Sequence, residues 1–235
     1  MSDNGQDIPF IDIHTHRLRD NNPGILSLYN VLYPDQLPEA AENLIFTIGL
    51  HPWHIDRVDF NPDHFAALAA RPDVAAIGET GIDRLRGPGL ERQTRLFSAQ
   101  AETAGRMNKP VIIHCVRAWD ELIAVKRNLQ PGKAWIIHGF RGKPETALRL
   151  TGEGFYLSFG EILLAHLEPV AGLFRQIPAD RIFLETDESV DGIEDIYRVA
   201  AGIRNVTLPD LKSQIASNFN HVFGFHATSR LVTTD

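Results

Sequence analysis

PVIIHCVRAWDELIAVKRNLQPGKAWIIHG, residues 110–139, carries one complete copy of the pattern from which the fold follows. It opens on PVIIH (110–114), an apolar run closed by a histidine, and returns to AWIIHG (134–139), a second such run. Both runs are continuously apolar, the pattern of parallel strands covered on both faces. Between them AWDELIAVKRNL (118–129) places Leu122, Ile123 and Val125 on one side of a helix. Strand, helix, strand is the repeating unit of parallel α/β folds.

The same unit recurs outward from this segment. Further apolar runs are PFIDI (9–13), ILSLYNV (25–31), LIFTIGL (44–50), VAAIGET (74–80), FYLSFG (155–160) and RIFLETD (181–187). Helical patterns occupy 60–72, 90–108, 143–154, 193–203 and 208–224. Pro62 and Asp63 suit the first turn of the first of these, and Pro209 and Asp210 that of the last. Eight strands alternating mostly with helices predict a (β/α)8 TIM-type barrel, with an open doubly wound sheet as the alternative. Few residues separate the first two strands, beginning RLRDNNPG after His16, so the helix between them is expected to be missing. A single barrel domain is expected over 1–224, with 225–235 a loose tail.

Composition excludes several classes. The formal net charge is −7, so no global basic field draws the chain to nucleic acid or membrane, and an anionic substrate would need local positive charge. The single cysteine, Cys115, rules out an intrachain disulfide and fits a reducing compartment. MSDNGQDIPF lacks the basic and apolar regions of a secretory signal, and no apolar run approaches the ~20 residues of a membrane helix. The expectation is a cytoplasmic protein that does not enter a membrane.

The ends of the predicted strands carry ligand-type side chains in order: His14 and His16, Glu79, His114, His138 and Asp187. His14 and His16 are two apart, so on a strand both point to one face and can reach one ion. Neutral imidazole suits Zn, Mn, Ni or Fe, and a carboxylate such as Glu79 can bridge two ions. Gly78 and Gly81 flank Glu79 and would allow close approach. In LETDE, Glu185 and Glu188 rival Asp187, and Asp12 is placed either in the inner shell or pairing nearby. Barrel active sites form at the carboxyl ends of the strands, where all six candidates are expected.

IDIHTH, TIGLHPWH, AIGETGID, ERQTRLFSAQ, KPVIIHC, IIHGFRG, YLSFG and LETDES, taken in that order, make the chain resemble the TatD-type deoxyribonucleases, metal-dependent hydrolases of the amidohydrolase superfamily. The resemblance implies the barrel and two divalent metal ions, typically Mg, Mn or Zn. It implies that His14 and His16 hold one ion and His114 and His138 the other. Glu79 would bridge them, and Asp187 would join the first and act as base. It further implies a phosphodiesterase that uses metal-activated hydroxide on DNA ends or a small phosphate ester. With two ions, Glu79, Asp187 and a bridging hydroxide, the centre would carry about +1. The chain departs from the family's pattern in the short stretch after His16, in Arg141, and in Glu188 and Ser189 after LETD.

Loop residues complete the expectation. His51, Arg84, Arg117 and Arg141 follow the third to sixth strands and are candidates to hold substrate, arginine because it grips phosphate oxygens in pairs. Trp53 and Trp119 could stack on a base or simply pack, and Cys115 is expected to be a buried small hydrophobe. His64, His166, His221 and His226 are expected at the surface. Competing readings are a glutamate-bridged lactonase or amidase and a non-catalytic barrel. No lysine ends a predicted strand, which argues against a carbamylated-lysine bridge.

Overall fold

Each apolar run becomes a parallel strand hydrogen-bonded to the next in sequence. They are β1 (Phe10–Thr15), β2 (Ile25–Leu32), β3 (Leu44–Gly49), β4 (Val74–Asp83), β5 (Val111–Val116), β6 (Trp135–Ile137), β7 (Phe155–Phe159) and β8 (Ile182–Leu184). The computed structural model describes residues 8–18, 22–39, 44–165 and 167–224. The expected tail at 225–235, and His166 and His226, lie outside the described residues. The ring closes through the backbone of Asp187, whose N–H donates to the His14 carbonyl at 2.9 Å and whose carbonyl accepts from the His16 N–H at 3.1 Å. The eight strands thus form a nearly closed barrel, not an open sheet.

Helices α1 (Pro62–Ala69), α2 (Leu90–Arg106), α3 (Trp119–Leu129), α4 (Pro144–Gly152), α5 (Glu168–Gln176), α6 (Ile193–Arg204) and α7 (Leu208–Phe223) pack around the strands. Asn61 caps α1 by accepting from the N–H groups of Asp63 and His64. Among the described residues there is no helix between β1 and β2, and none between β2 and β3. Length explains the first gap. The chain must run back along a six-residue strand, about 20 Å, within residues 16–24. As a helix those residues would span only ~14 Å, whereas extended they reach ~30 Å. Helix α5 has no counterpart in the expected elements, although Glu168 and Pro169 open it and Pro178 follows its end. It buries Ala171, Leu173 and Phe174.

No described helix is long and apolar enough to cross a membrane. The core is continuous, and its strand residues include Ile11, Ile13, Leu26, Leu28, Ile112, Ile136 and Leu157, all essentially without solvent contact. Trp135 packs edge-on against Phe97 of α2 with centroids 5.2 Å apart, joining barrel to helix layer.

Two strands differ from expectation in ways that place the site. β4 runs on to Asp83, so Glu79 lies inside a strand, not at its end. Ile77 pairs with Val111 and Thr80 with Ile113, so β4 uses one residue more than β5 over that stretch, a bulge. β8 stops at Leu184, and Asp187 stands beyond it with φ of 53°, in the left-handed region.

Candidate metal centre

The β4 bulge turns the Glu79 carboxylate into the mouth of the barrel, and glycines make room for the turn. A Cβ on Gly49 would lie 2.4 Å from the Glu79 carbonyl oxygen, one on Gly78 2.5 Å from that of Ile112, and one on Gly81 1.8 Å from that of His114. Asn30 on β2 accepts from the Glu79 N–H and from the Thr47 hydroxyl. The backbone of Glu79 is therefore held in place.

Five imidazoles face this carboxylate. His138 Nε2 lies 2.7 Å, His114 Nδ1 2.9 Å and His51 Nε2 3.0 Å from Oε1. His16 Nε2 lies 3.1 Å and His14 Nε2 3.5 Å from Oε2. Asp187 Oδ1 stands 3.8 Å from His14 and 3.7 Å from His16, and it is the exposed member, at 40% of its side chain. All six expected ligand residues thus meet, and His51, expected to touch substrate, joins the same donor set. Three overlapping groups have atoms close enough to share an ion: His14–His16–Glu79, His14–His138–Asp187 and His51–Glu79–His114.

The donor set fits divalent metal. His14 is fully buried, yet neither of its ring nitrogens has a hydrogen-bond partner, a costly state for a polar ring without a ligand. Imidazoles and carboxylates in one shell suit borderline and hard cations alike.

The charges are strongly interdependent. Burial by itself would raise the Glu79 pKa, but the charge of His138 and hydrogen bonds from His114 and His138 hold it well below the usual carboxylate range. Burial opposes charge on His138, but attraction to Glu79 and a hydrogen bond to Glu185 hold its pKa well above the ordinary value. For His14, burial and then repulsion from His138 lower the pKa, and burial also lowers that of His51. For His16, burial works against protonation and is outweighed by Glu79 and then Asp187, so its pKa is raised.

Carboxylates behind the histidines orient them. Asp83 Oδ2 lies 3.2 Å from His114 Nε2 and accepts from Trp53 Nε1 at 2.6 Å, while its Oδ1 accepts from the N–H groups of Leu85 and Arg86. Glu185, fully buried, lies 3.4 Å from His138 Nδ1 and accepts from the Gly139 N–H at 2.6 Å. Asp12 accepts from the backbone N–H and hydroxyl of Thr186, at 2.9 and 2.6 Å. It pairs nearby rather than joining the donor shell, and it holds the turn that carries Asp187. Gln93 and Gln100 of α2 explain the two glutamines of ERQTRLFSAQ (91–100). Gln93 accepts from the Asp83 N–H and donates to the carbonyls of Asp83, Arg86 and Pro88. Gln100 makes the same two-way clasp with the backbone of Leu50, next to His51. Asp83 and the two glutamines were absent from the expected site. The recurrence of Gln on one helix face was the available signal.

The cavity has a volume of about 260 Å³ and is lined by His16, Leu32, His51, Trp53, His54, Glu79, His114, His138, Asp187 and Glu188. The three candidate arginines are not in this lining. Arg84 pairs with Glu121 and donates to the Arg117 carbonyl, and Arg141 pairs with Glu161 at 3.0 Å. Arg117 is exposed, at φ of 52°. Trp119 packs on Phe140, and Cys115 is buried with its thiol pKa pushed up by burial.

Eight parallel strands that deliver imidazoles and carboxylates to one cavity at their carboxyl ends are the architecture of a barrel hydrolase that works with metal. A family model described as TatD related DNase matches residues 24–224, and the chain belongs to that family of metal-dependent hydrolases. It is 27% identical over 218 residues to the metal-dependent hydrolase YcfH of Escherichia coli (strain K12), covering 86% of this chain and 82% of that protein. It is 31% identical over 148 residues to the 3′-5′ ssDNA/RNA exonuclease TatD of Erwinia tasmaniensis, covering 60% of this chain and 56% of that one. Among solved structures, YJJV, a TatD homologue from Escherichia coli K12, superposes with a TM-score of 0.79 at 20% identity, over 94% of this chain and all of that one.

Proposed function

We propose that this hydrolase is a two-metal phosphodiesterase acting on DNA ends or a small phosphate ester. The observation that carries the reading is the central Glu79 carboxylate, faced by five imidazoles with Asp187 at the open edge. His14, His16 and Asp187 would hold one divalent ion, Mg, Mn or Zn. His114 and His138 would hold the other with Glu79 between them, and His51 stands in reach of the second. Bound divalent metal supplies charge for phosphate oxygens and lowers the pKa of water towards ~7.

The remaining chemistry falls to the chain's own groups. Asp187 is the most exposed member of the donor set, and its carboxylate would take the proton of the attacking water, then return it to the leaving group. Asp83 and Glu185 would keep the His114 and His138 rings oriented. Trp53, held by Asp83 and lying under the Arg86 guanidinium at 3.5 Å, offers a ring on which a terminal base could stack. The family description and the name of the Erwinia tasmaniensis relative support a nucleic acid substrate.

One observation favours a second reading. Among the described residues no arginine or lysine lines the cavity, so a less charged substrate such as a lactone also fits a glutamate-bridged site. The test is a panel of single-stranded DNA, a nitrophenyl phosphodiester, a phosphomonoester and lactones, each with Mg, Mn and Zn. Phosphodiester turnover with two metals bound per chain is expected. Lactone turnover alone would replace the first reading by the second. Asp187→Asn should abolish turnover with the fold intact, and wild-type rates in that variant would remove Asp187 as the base.

A further inference from the structure

A second cavity, of about 380 Å³, lies among the loops that lead into the strands. Its lining includes Ala134 just before β6, Gly154 just before β7, Arg181 just before β8, and His221 near the end of α7. These positions are at the amino-terminal ends of strands whose other ends lead to His138 and Asp187, so the cavity is at the opposite face of the barrel from the metal centre.

Its lining is basic in an acidic chain. Lys126, Lys133 and Arg181 surround it with His221, the lining contains no carboxylate among the described residues, and the chain's formal net charge is −7. The nearby acids are engaged: Glu153 binds the Arg127 guanidinium with both oxygens, and the Asp180 carboxylate is 3.6 Å from Arg181 itself. Arg181 donates to the hydroxyl of buried Tyr156 at 3.1 Å and lies 5.1 Å over its ring. That hydroxyl accepts one hydrogen bond and keeps its own proton to donate into the cavity. Lys126 donates to the Glu153 carbonyl and sits 4.7 Å over the Phe155 ring, leaving further N–H bonds uncommitted. Burial lowers its pKa, and the Arg181 charge adds to that effect against the pull of Glu153. The Lys133 ammonium has no hydrogen bond or ion pair among the described residues.

Cations do suit the carbonyl ends of helices, and α3 and α7 both end here. That accounts for Lys126. It applies to Lys133 too, whose ammonium would lie 3.7 Å from a Cβ on Gly224, the C-cap of α7, but it supplies no hydrogen bond or ion pair to Lys133 among the described residues, and it leaves Arg181 on a tyrosine hydroxyl. We propose that this cavity binds a small phosphate-bearing anion, inorganic phosphate or a phosphomonoester, held by Lys126, Lys133 and Arg181 with the Tyr156 hydroxyl as a neutral donor. Binding would tie together the loops entering β6, β7 and β8 and stabilise the barrel by mass action.

The test is amide NMR of the magnesium-loaded protein, titrated separately with inorganic phosphate and glycerol phosphate at constant ionic strength. Saturable shifts are expected at Gly132, Lys133 and Gly154. Lys133→Glu should weaken this binding at least about tenfold while leaving hydrolysis and the Gly78 and Gly81 amides unchanged. The tighter of the two anions identifies the source. Three results would each overturn the proposal: no saturable shift with either anion, a response confined to Gly78, Gly81 and Gly139 at the metal centre, or equal binding by Lys133→Glu.

Discussion

The floor of the metal cavity converges on one carboxylate, whereas of the four residues expected at its rim only His51 joins it and the arginines do not. Glu79 and the imidazoles of His14, His16, His51, His114 and His138 crowd within 3.5 Å of one carboxylate. Arg84 and Arg141 turn instead to Glu121 and Glu161 at the surface. The floor residues sit in or against strands, whose positions the closed barrel dictates. The arginines sit on loops with long side chains, and each finds its own carboxylate. A charge in a loop is a weaker predictor of a site than a ligand beside a strand.

Glu79→Gln keeps the shape of the central group and removes its charge. Turnover should fall roughly 10³-fold, about 4 kcal/mol, with fewer metals retained and an unchanged circular dichroism spectrum. Activity within tenfold of wild type would show that the floor is not the reaction centre. A chelator should likewise abolish turnover, and restoring the divalent ion should recover it. Next in size, Gln93→Leu removes the clasp around Asp83 and leaves buried backbone groups unpaired. A loss of about 3 kcal/mol in denaturant unfolding is expected. A loss below a few tenths would mean that the loop after β4 does not need its clasp.

Asp83→Asn keeps the volume and removes the anion behind His114. Metal affinity should weaken about 10–100-fold by calorimetry, and Trp53 fluorescence should change with it. Unaltered affinity would reduce Asp83 to a support for Trp53. The smallest effects belong to the rim. Arg141→Ala should change stability by less than about 1 kcal/mol, because its ion pair is exposed, and should leave kcat/KM within about twofold. A hundredfold fall in kcat/KM would show that Arg141 leaves Glu161 to meet substrate, and the distinction between floor and rim would fail.

The apolar runs and the helical spacing between them were enough to predict the barrel, its eight strands and a connection from β1 to β2 that holds no helix among the described residues. They did not reveal α5, which is only nine residues long, although it buries a distinct apolar face of Ala171, Leu173 and Phe174. The ligand types were legible because each directly follows, or lies within, an apolar run. The role of His51 was less so: a histidine after GL reads as a loop residue until Gln100 is seen fixing Leu50 beside it. Asp83 was hidden because strand β4 continues three residues past the expected end at Thr80.

Residue chemistry and periodicity were enough for the class of fold and for the six candidate ligand residues. Both are properties of short segments, set by burial and by side-chain type. Only the tertiary structure decided how those ligands group, which carboxylates orient them, that the β4 bulge aims Glu79 inward, and that the arginines stand outside. Those facts depend on strand register, on helix α2 reaching across two loops, and on which acid lies nearest each long side chain. All of these are contacts between residues far apart in sequence, and no local pattern encodes them.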